Sequence, residues 1–335
     1  MKKIIILLLA VILVVGGVWY YSHLFGSVTL KNKVEVIIPE ASTSEEIGVI
    51  LADKGVIRSA FAFKLQVKKN GVGAELKAGT YDFKGTCTLS EVIETLVKGP
   101  ALSGEKITVP EGYSQKQIIA LLVSKGLVTE AAFLDAAANG NYAYDYLPAA
   151  GDSQRLEGFL YPETYYIAKD DSAAEIISMM LEEFDAQYGD EWQARVNELG
   201  LTPKEWVTMA SIVEKEAVVE KDRPIIAGVF YNRLNLNMLL QSCATVQYAL
   251  GETKSVLTNE DVQIDSAYNT YIHYGLPPGP IASPGHDSLY AALYPTDTDN
   301  LYFVAKPNGE HIFSKTYEEH LSAKAAIENG EYDNE

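Results

Sequence analysis

"IPEASTSEEIGVILADKGVI" (Ile38–Ile57) and "VPEGYSQKQIIALLVSKGLV" (Val109–Val128) carry one pattern twice, 71 residues apart. Pro39 aligns with Pro110, Glu40 with Glu111, Ile47 with Ile118, Leu51 with Leu122, Lys54 with Lys125 and Gly55 with Gly126. Each copy reads as a strand, a proline-containing turn and a helix stopped by glycine just past its end. The echo continues more loosely. "LKAGTYDF" from Leu76 precedes the helical "TLSEVIETLVKG", and "LEGFLYPETYYI" from Leu156 precedes "SAAEIISMMLEEF". Shared Pro-Glu, shared Lys-Gly and a shared order of elements favour duplication over a chance match of amphipathic helices. The expectation is two tandem strand–helix–helix–strand–helix units and an α+β fold.

From Thr202 the character changes. "TPKEWVTMASIVEKEA" opens with a capping box, Thr202 at N-cap, Pro203 at N1 and Glu205 at N3. A second helix starts near Asp222 ("DRPIIAGVFYNRL"), and "ATVQYALG" reads as a third, short one. "SAYNTYIHYGLPPGPIASPG", Ser266–Gly285, has four prolines and three glycines in 20 residues. An irregular stretch of that length inside a compact domain is usually functional. Leu301–Ala305 and Glu310–Phe313, joined by "KPNG", read as a hairpin, and a closing helix follows.

The amino terminus sets the compartment. After "MKK", Ile4–Tyr21 is a run of 18 uncharged residues. As a helix it spans roughly 27 Å, close to the hydrocarbon core of a bilayer. Lys2 and Lys3 put the short end in the cytoplasm, and Trp19, Tyr20 and Tyr21 sit where an outer aromatic belt belongs. "GVWYYSHLFGS" offers no good small-x-small cleavage site, so the run is expected to remain as a single-pass membrane anchor rather than a signal peptide. The chain after about Ser22 is then extracytoplasmic. With 47% hydrophobic residues the 335-residue chain can bury a proper core, and its net charge of −18 excludes nucleic acid as a partner. Cys87 and Cys243, far apart and outside any CxxC, are expected to be buried free thiols.

Chemistry points back to the helix from Thr202. Trp206, Ala210, Val213 and Ala217 form the centre of its apolar stripe, and Lys215 points outward. Glu216 falls between Met209 and Ile212 on the wheel, and Glu214 between Ala210 and Val207. Both carboxylates flank the buried stripe, on opposite sides. A carboxyl at such an edge is partly desolvated, its pKa rises, and it can serve as a general acid near neutrality. An ion pair with Lys221, Arg223 or Arg233 is the plainer reading, and the wheel does not choose between the two glutamates. His273, His286, His311 and His320 lack metal-ligand spacing. No GxSxG, Cys–His pair or phosphate-cradling glycine loop is evident, so no metal and no cofactor are called for. Among the 21 tyrosines, Tyr248, Tyr268, Tyr271 and Tyr274 are candidates to stack on sugar faces.

"ASIVEKEA", "VFYNRLNLNMLLQS", "TVQYALG", "AYNTYIHYGLPPGPIASPG" and "LYFVAKPNGEHIFSKTYEEH", with "LEGFLYPETY" upstream, closely resemble the endolytic murein transglycosylases of the MltG/YceG-like family, in the family's order. The resemblance implies a single-pass membrane enzyme that cleaves peptidoglycan glycan strands internally and sets the length of nascent strands, with peptidoglycan synthases as partners. It implies a LysM-like module at 34–100 after a linker at 22–33, a second related module at 101–200 belonging to the catalytic region, and a catalytic domain at 201–335. It maps the catalytic acid onto Glu216. Substrate contacts map onto Glu157 and Tyr161 upstream, onto Glu214, Asn232, Arg233 and Gln241, and onto Asn269, Thr270, Tyr271, Gly275, Leu276, Pro277, Pro278 and Gly279 in the proline-rich loop. That loop, with its Gly275–Gly279 turn, is expected to face Glu216 across a groove. Cys243 stands where the family usually has an acidic residue. On this chemistry Glu216 protonates the oxygen leaving N-acetylmuramic acid, then takes the proton of that sugar's C6 hydroxyl, which closes a 1,6-anhydro ring. The alternatives are a hydrolase pairing Glu216 with Glu214, Glu157 or Glu163, and a non-catalytic wall-binding protein in which Glu216 is an ion-pair residue.

Overall fold

The computed structural model describes residues 16–17, 22–100, 104–254 and 256–332. Except for Gly16 and Gly17, the expected anchor lies outside the described residues, and no described helix is long and apolar enough to cross a membrane. The chain divides into two compact units, Met1–Ser103 and Gly104–Glu335. The fold is mixed α+β.

In the smaller unit β1 (Val28–Ile38) pairs antiparallel with β2 (Gly79–Cys87), with an irregularity between Leu30 and Val34. Between the strands lie α1 (Ser44–Asp53) and α2 (Ala60–Asn70), and α3 (Leu89–Lys98) follows β2. Local chemistry starts each helix. Thr43 with Glu46 and Thr88 with Glu91 form capping boxes, and the Ser59 side chain caps α2. Alternation along the strands turns Val36, Ile38, Tyr81 and Phe83 inward, onto Ile47, Leu51, Phe63, Val92 and Leu96. Cys87 belongs to this core.

The larger unit opens with the same order of elements. β3 (Glu105–Thr108) pairs antiparallel with β4 (Thr164–Ile167). α4 (Gln115–Ser124) and α5 (Glu130–Asn139) lie between them, and α6 (Ala173–Gln187) follows. The chain continues through α7 (Asp190–Glu198), α8 (Pro203–Glu216), α9 (Arg223–Asn235), α10 (Cys243–Leu250) and α11 (His286–Leu293). The hairpin β5 (Tyr302–Ala305) and β6 (His311–Ser314) and the helix α12 (Tyr317–Glu328) close the unit. One core runs through all of it, from Ile118 and Phe133 by way of Phe184 and Trp206 to Ile226 and Leu289.

The helix α8 runs through the middle of that core. The expected capping box of Thr202 and Glu205 is present, with Pro203 in the first turn. Burial is wider than a single apolar stripe: Thr208 and Ser211 are as enclosed as Met209 and Ile212. Their hydroxyls are satisfied by donation to Lys204 O and Thr208 O, which is what permits a polar side chain there. Trp206 Nε1 donates to Leu289 O at 3.0 Å and fastens α11 alongside. Close packing continues at α9, where a Cβ on Gly228 would meet Thr296 O at 2.4 Å, so only glycine fits.

Candidate active site

Glu216 is the last helical residue of α8, because Ala217 turns to an extended conformation (φ −77°, ψ 127°). A carboxylate there faces the negative end of the helix dipole, which disfavours its charged form. Burial acts in the same direction and pushes the Glu216 pKa above the ordinary carboxylate range, against hydrogen bonds from Ser242 and the Ala244 backbone and the positive charges of His311 and Arg233. Ser242 Oγ donates to Glu216 Oε1 at 2.5 Å. The serine is itself clamped: its N–H donates to Thr270 Oγ1 at 3.0 Å, and its carbonyl accepts from Thr245 Oγ1 at 2.8 Å. Thr245 and Thr270 hydroxyls lie 2.8 Å apart. Thr245 spends its one proton on Ser242 O, so Thr270 is the donor between them. Two loops 28 residues apart thus hold one hydroxyl against Glu216.

Glu214 faces other groups, as the wheel requires. Its Oε2 accepts from Ser288 Oγ at 2.7 Å and from Gly285 N at 3.2 Å, and Arg223 Nη2 lies 3.8 Å from Oε1. It caps the start of α11. Glu111 packs beside it against Gly285, and burial followed by the neighbouring Glu214 raises the Glu111 pKa.

Glu157 is the second buried acid. Its side chain accepts from Gln115 N at 2.9 Å on Oε1, and Tyr248 OH lies 3.1 Å from Oε2. Only 4% of the residue is exposed, and burial raises its pKa to about 7. The Tyr248 and Tyr268 rings lie 4.8 Å apart. Glu157 and Tyr248 line a cleft of about 490 Å³ whose walls include Ser114, Lys116, Gln117, Gln154, Lys215 and Ala244. Ala244 is common to this cleft and to the surroundings of Glu216.

The other expected site residues divide. Thr270 and Gln241 join the Glu216 cluster, Gln241 through its N–H to Thr270 O at 3.0 Å. Tyr271 OH lies 3.1 Å from Cys243 Sγ. Cys243 is exposed rather than buried, since it opens α10 at the protein's surface. Asn232 gives its amide to Thr298 O and Asn300 O, and Arg233 gives Nε to Leu301 O and Nη1 to Leu240 O. These two hold backbone in place instead of offering those donors to a ligand. Asn269 is fully buried and bonds Val262 O, Ile264 O and Tyr271 N, which fixes the loop from within. Tyr161 is buried, with its carbonyl accepting from Tyr165 OH at 2.6 Å.

The proline-rich turn meets α8 at its amino-terminal end through Gly279. Gly279 packs on Lys204 and Tyr268, Leu276 packs against the core, Pro277 is buried and Pro278 is exposed. Lys204 and Glu216 are 12 residues apart on α8, about 18 Å of helix rise. Ser242, Thr245 and Gln115 escaped sequence reasoning. A buried polar residue read without its partners looks like any core serine, threonine or glutamine. Among the described residues no group of histidine, cysteine and carboxylate side chains is arranged to hold a metal ion.

Residues 36–326 match the profile of the YceG-like family. A Bacillus subtilis (strain 168) protein named endolytic murein transglycosylase is 36% identical over 333 residues, covering 93% of this chain and 90% of the relative. A protein of the same name from Streptococcus pneumoniae serotype 2 (strain D39) is 34% identical over 340 residues, covering 91% of this chain and 61% of that longer relative. A crystal structure of a YceG-like protein from Listeria monocytogenes superposes with a TM-score of 0.60 at 37% identity, covering 88% of this chain and 99% of that one. The chain belongs to the YceG-like family.

Proposed function

We propose that this protein is an endolytic lytic transglycosylase of peptidoglycan in which Glu216 is the single acid and base. The observation that carries the assignment is a half-buried carboxyl at the end of α8, raised in pKa by desolvation and held by Ser242. Protonated Glu216 gives its proton to the glycosidic oxygen as the bond from C1 of N-acetylmuramic acid breaks. The resulting carboxylate takes the proton of the same sugar's C6 hydroxyl, whose oxygen bonds to C1. The products are one strand with a free N-acetylglucosamine 4-hydroxyl and a second strand with a 1,6-anhydro muramoyl end, and Glu216 is again protonated. No water is consumed. Among the described residues the nearest side-chain partners of Glu216 are the Ser242 hydroxyl and, by charge, Arg233, which suits one carboxyl working alone rather than a pair of carboxylates.

The same reading includes a membrane anchor at Ile4–Tyr21, a catalytic unit outside the cytoplasm and peptidoglycan synthases as working partners. It also gives the smaller unit, with its strand–helix–helix–strand core, a LysM-like role in holding glycan. Glu216→Gln keeps size and hydrogen bonding but cannot move the proton. Turnover of purified peptidoglycan falls at least ~10²-fold with the melting temperature nearly unchanged. Glu214→Gln, by contrast, loses its attraction to Arg223 and acts through stability, costing about 1–3 kcal/mol. A folded Glu216→Gln with near wild-type release of fragments, beside a folded but inactive Glu214→Gln, reverses the assignment.

A further inference from the structure

The chain is acidic, with net charge −18, yet the cleft beside Glu216 presents two lysines that make no ion pair among the described residues. Lys215, between the two glutamates of α8, donates only to Gly112 O at 3.2 Å. Lys116 stands in the first turn of α4, its ammonium 3.8 Å from where a Cβ on Gly251, just past the end of α10, would stand. Several other lysines of this protein are neutralised by carboxylates, as Lys33 by Asp82, Lys221 by Glu310 and Lys315 by Asp299; Lys116 and Lys215 are instead gathered, unpaired among the described residues, on the wall of one cleft. The carboxylates in the cleft wall do not neutralise the two lysines. Glu252 is engaged by Lys254 at 3.4 Å, and Glu157 is enclosed with Gln115 and Tyr248. The remaining polar lining, Ser114, Gln117, Gln154 and Gln247, is neutral.

We infer that this cleft, through Lys116 and Lys215, binds the carboxylates of the acidic stem peptides carried by muramoyl residues, so that the preferred substrate is a peptide-bearing strand. The inference rests on the proposed function. Sugar rings of the strand are uncharged and need neither lysine, whereas the rest of this anionic surface repels a peptide carboxylate. Lys215 is adjacent to Glu216 in sequence, and Ala244 borders both the cleft and Glu216. Peptide recognition and bond cleavage therefore occur side by side. A salt-sensitive preference follows from charge pairs that remain partly exposed to solvent.

The test compares three substrates: strands with intact stem peptides, strands stripped of peptides by an amidase and then amidated at the lactyl carboxylates so exposed, and strands whose peptide carboxylates have been converted to amides. The wild-type protein is expected to show a KM roughly tenfold lower on intact strands than on the other two, the gap narrowing at high salt. The double variant Lys116→Gln, Lys215→Gln is expected to lose the gap, and Lys116→Glu to raise KM on intact strands while sparing the amidated ones. Equal KM values of the wild type on all three substrates overturn the inference and leave the enzymatic reading standing. A gap that survives in the double variant overturns it too. Absence of cleavage on every strand removes the enzymatic reading itself.

Discussion

The two copies of the repeated motif share their local chemistry and differ in what they are built into. Thr43 with Glu46 and Ser114 with Gln117 form capping boxes 71 residues apart. Ala41 and Gly112, at the same offset, both adopt positive φ (57° and 72°), as do Gly55 and Gly126 (70° and 67°). Yet the first copy pairs strands of 11 and 9 residues and closes a core of its own, while the second pairs strands of 4 and 4 and shares its core with the catalytic helices. The last helix of each copy explains much of this. The helix α3 has 10 residues and α6 has 15. The added length brings Phe184, with Tyr188 just beyond it, against Trp206, at ring distances of 6.1 and 5.1 Å. One extra turn with the right aromatics joins the second copy to the core around α8. The acids diverged as well. Glu40 is exposed in the first copy, whereas its counterpart Glu111 packs beside Glu214. Lys77 is exposed where the looser echo has the buried Glu157.

The largest effect should come from the aromatic junction. Phe184→Ala removes about 3–5 kcal/mol from the larger unit and takes activity with it on warming. Phe63→Ala costs the smaller unit a similar amount and leaves the transition of the larger unit in place. Calorimetry of the full chain separates the two. A single transition lowered equally by both variants breaks the contrast between a module with its own core and one with a shared core.

Next in size is the acid that replaced Lys77. Burial raises the pKa of Glu157 from 4.5 to about 7, so the folded state holds a proton that the unfolded state has released. The stability cost is absent below pH 4.5, grows as pH rises to 7 and is complete above it. Glu157→Gln, which cannot ionise, should gain on the wild type across that window, by roughly 3 kcal/mol at pH 8. A gap of the same size at pH 4 and pH 8 in thermal unfolding contradicts this.

The smallest effect concerns Ser242. Its hydroxyl holds the Glu216 pKa down, so Ser242→Ala should let it climb. The alkaline limb of the pH–rate profile, where Glu216 loses the proton it must donate, then moves to higher pH, with a few-fold loss of rate at the optimum. An unmoved limb means the serine serves packing alone.

The sequence made most of the scaffold legible because its signals are local. The capping box of Thr202 and Glu205, the glycine stops at Gly55 and Gly126 and the hairpin at Tyr302–Ser314 all depend on residues within a few positions of each other. The opposite facing of Glu214 and Glu216 follows from helical geometry and holds. What the sequence concealed is long-range. The hydroxyl clamp joins Ser242, Thr245 and Thr270 across 28 residues with no periodicity to announce it. The course of the proline-rich loop is hidden for a related reason. Composition marks it as irregular and motif-bearing, but packing decides that Thr270 reaches the Glu216 cluster while Gly279 sits at the far end of α8. That Asn232, Arg233 and Asn269 hold backbone carbonyls is likewise visible only in the fold.

The central claim is that one half-buried carboxyl, Glu216, cleaves the strand without water. It is tested most directly by digesting purified peptidoglycan with the intact protein in water enriched in oxygen-18 and weighing the new muramoyl ends. The account predicts 1,6-anhydro ends that carry no label, absent from a digest with Glu216→Gln. Reducing ends that have taken up one labelled oxygen would contradict it, because a water would then be the nucleophile in place of the sugar's own C6 hydroxyl.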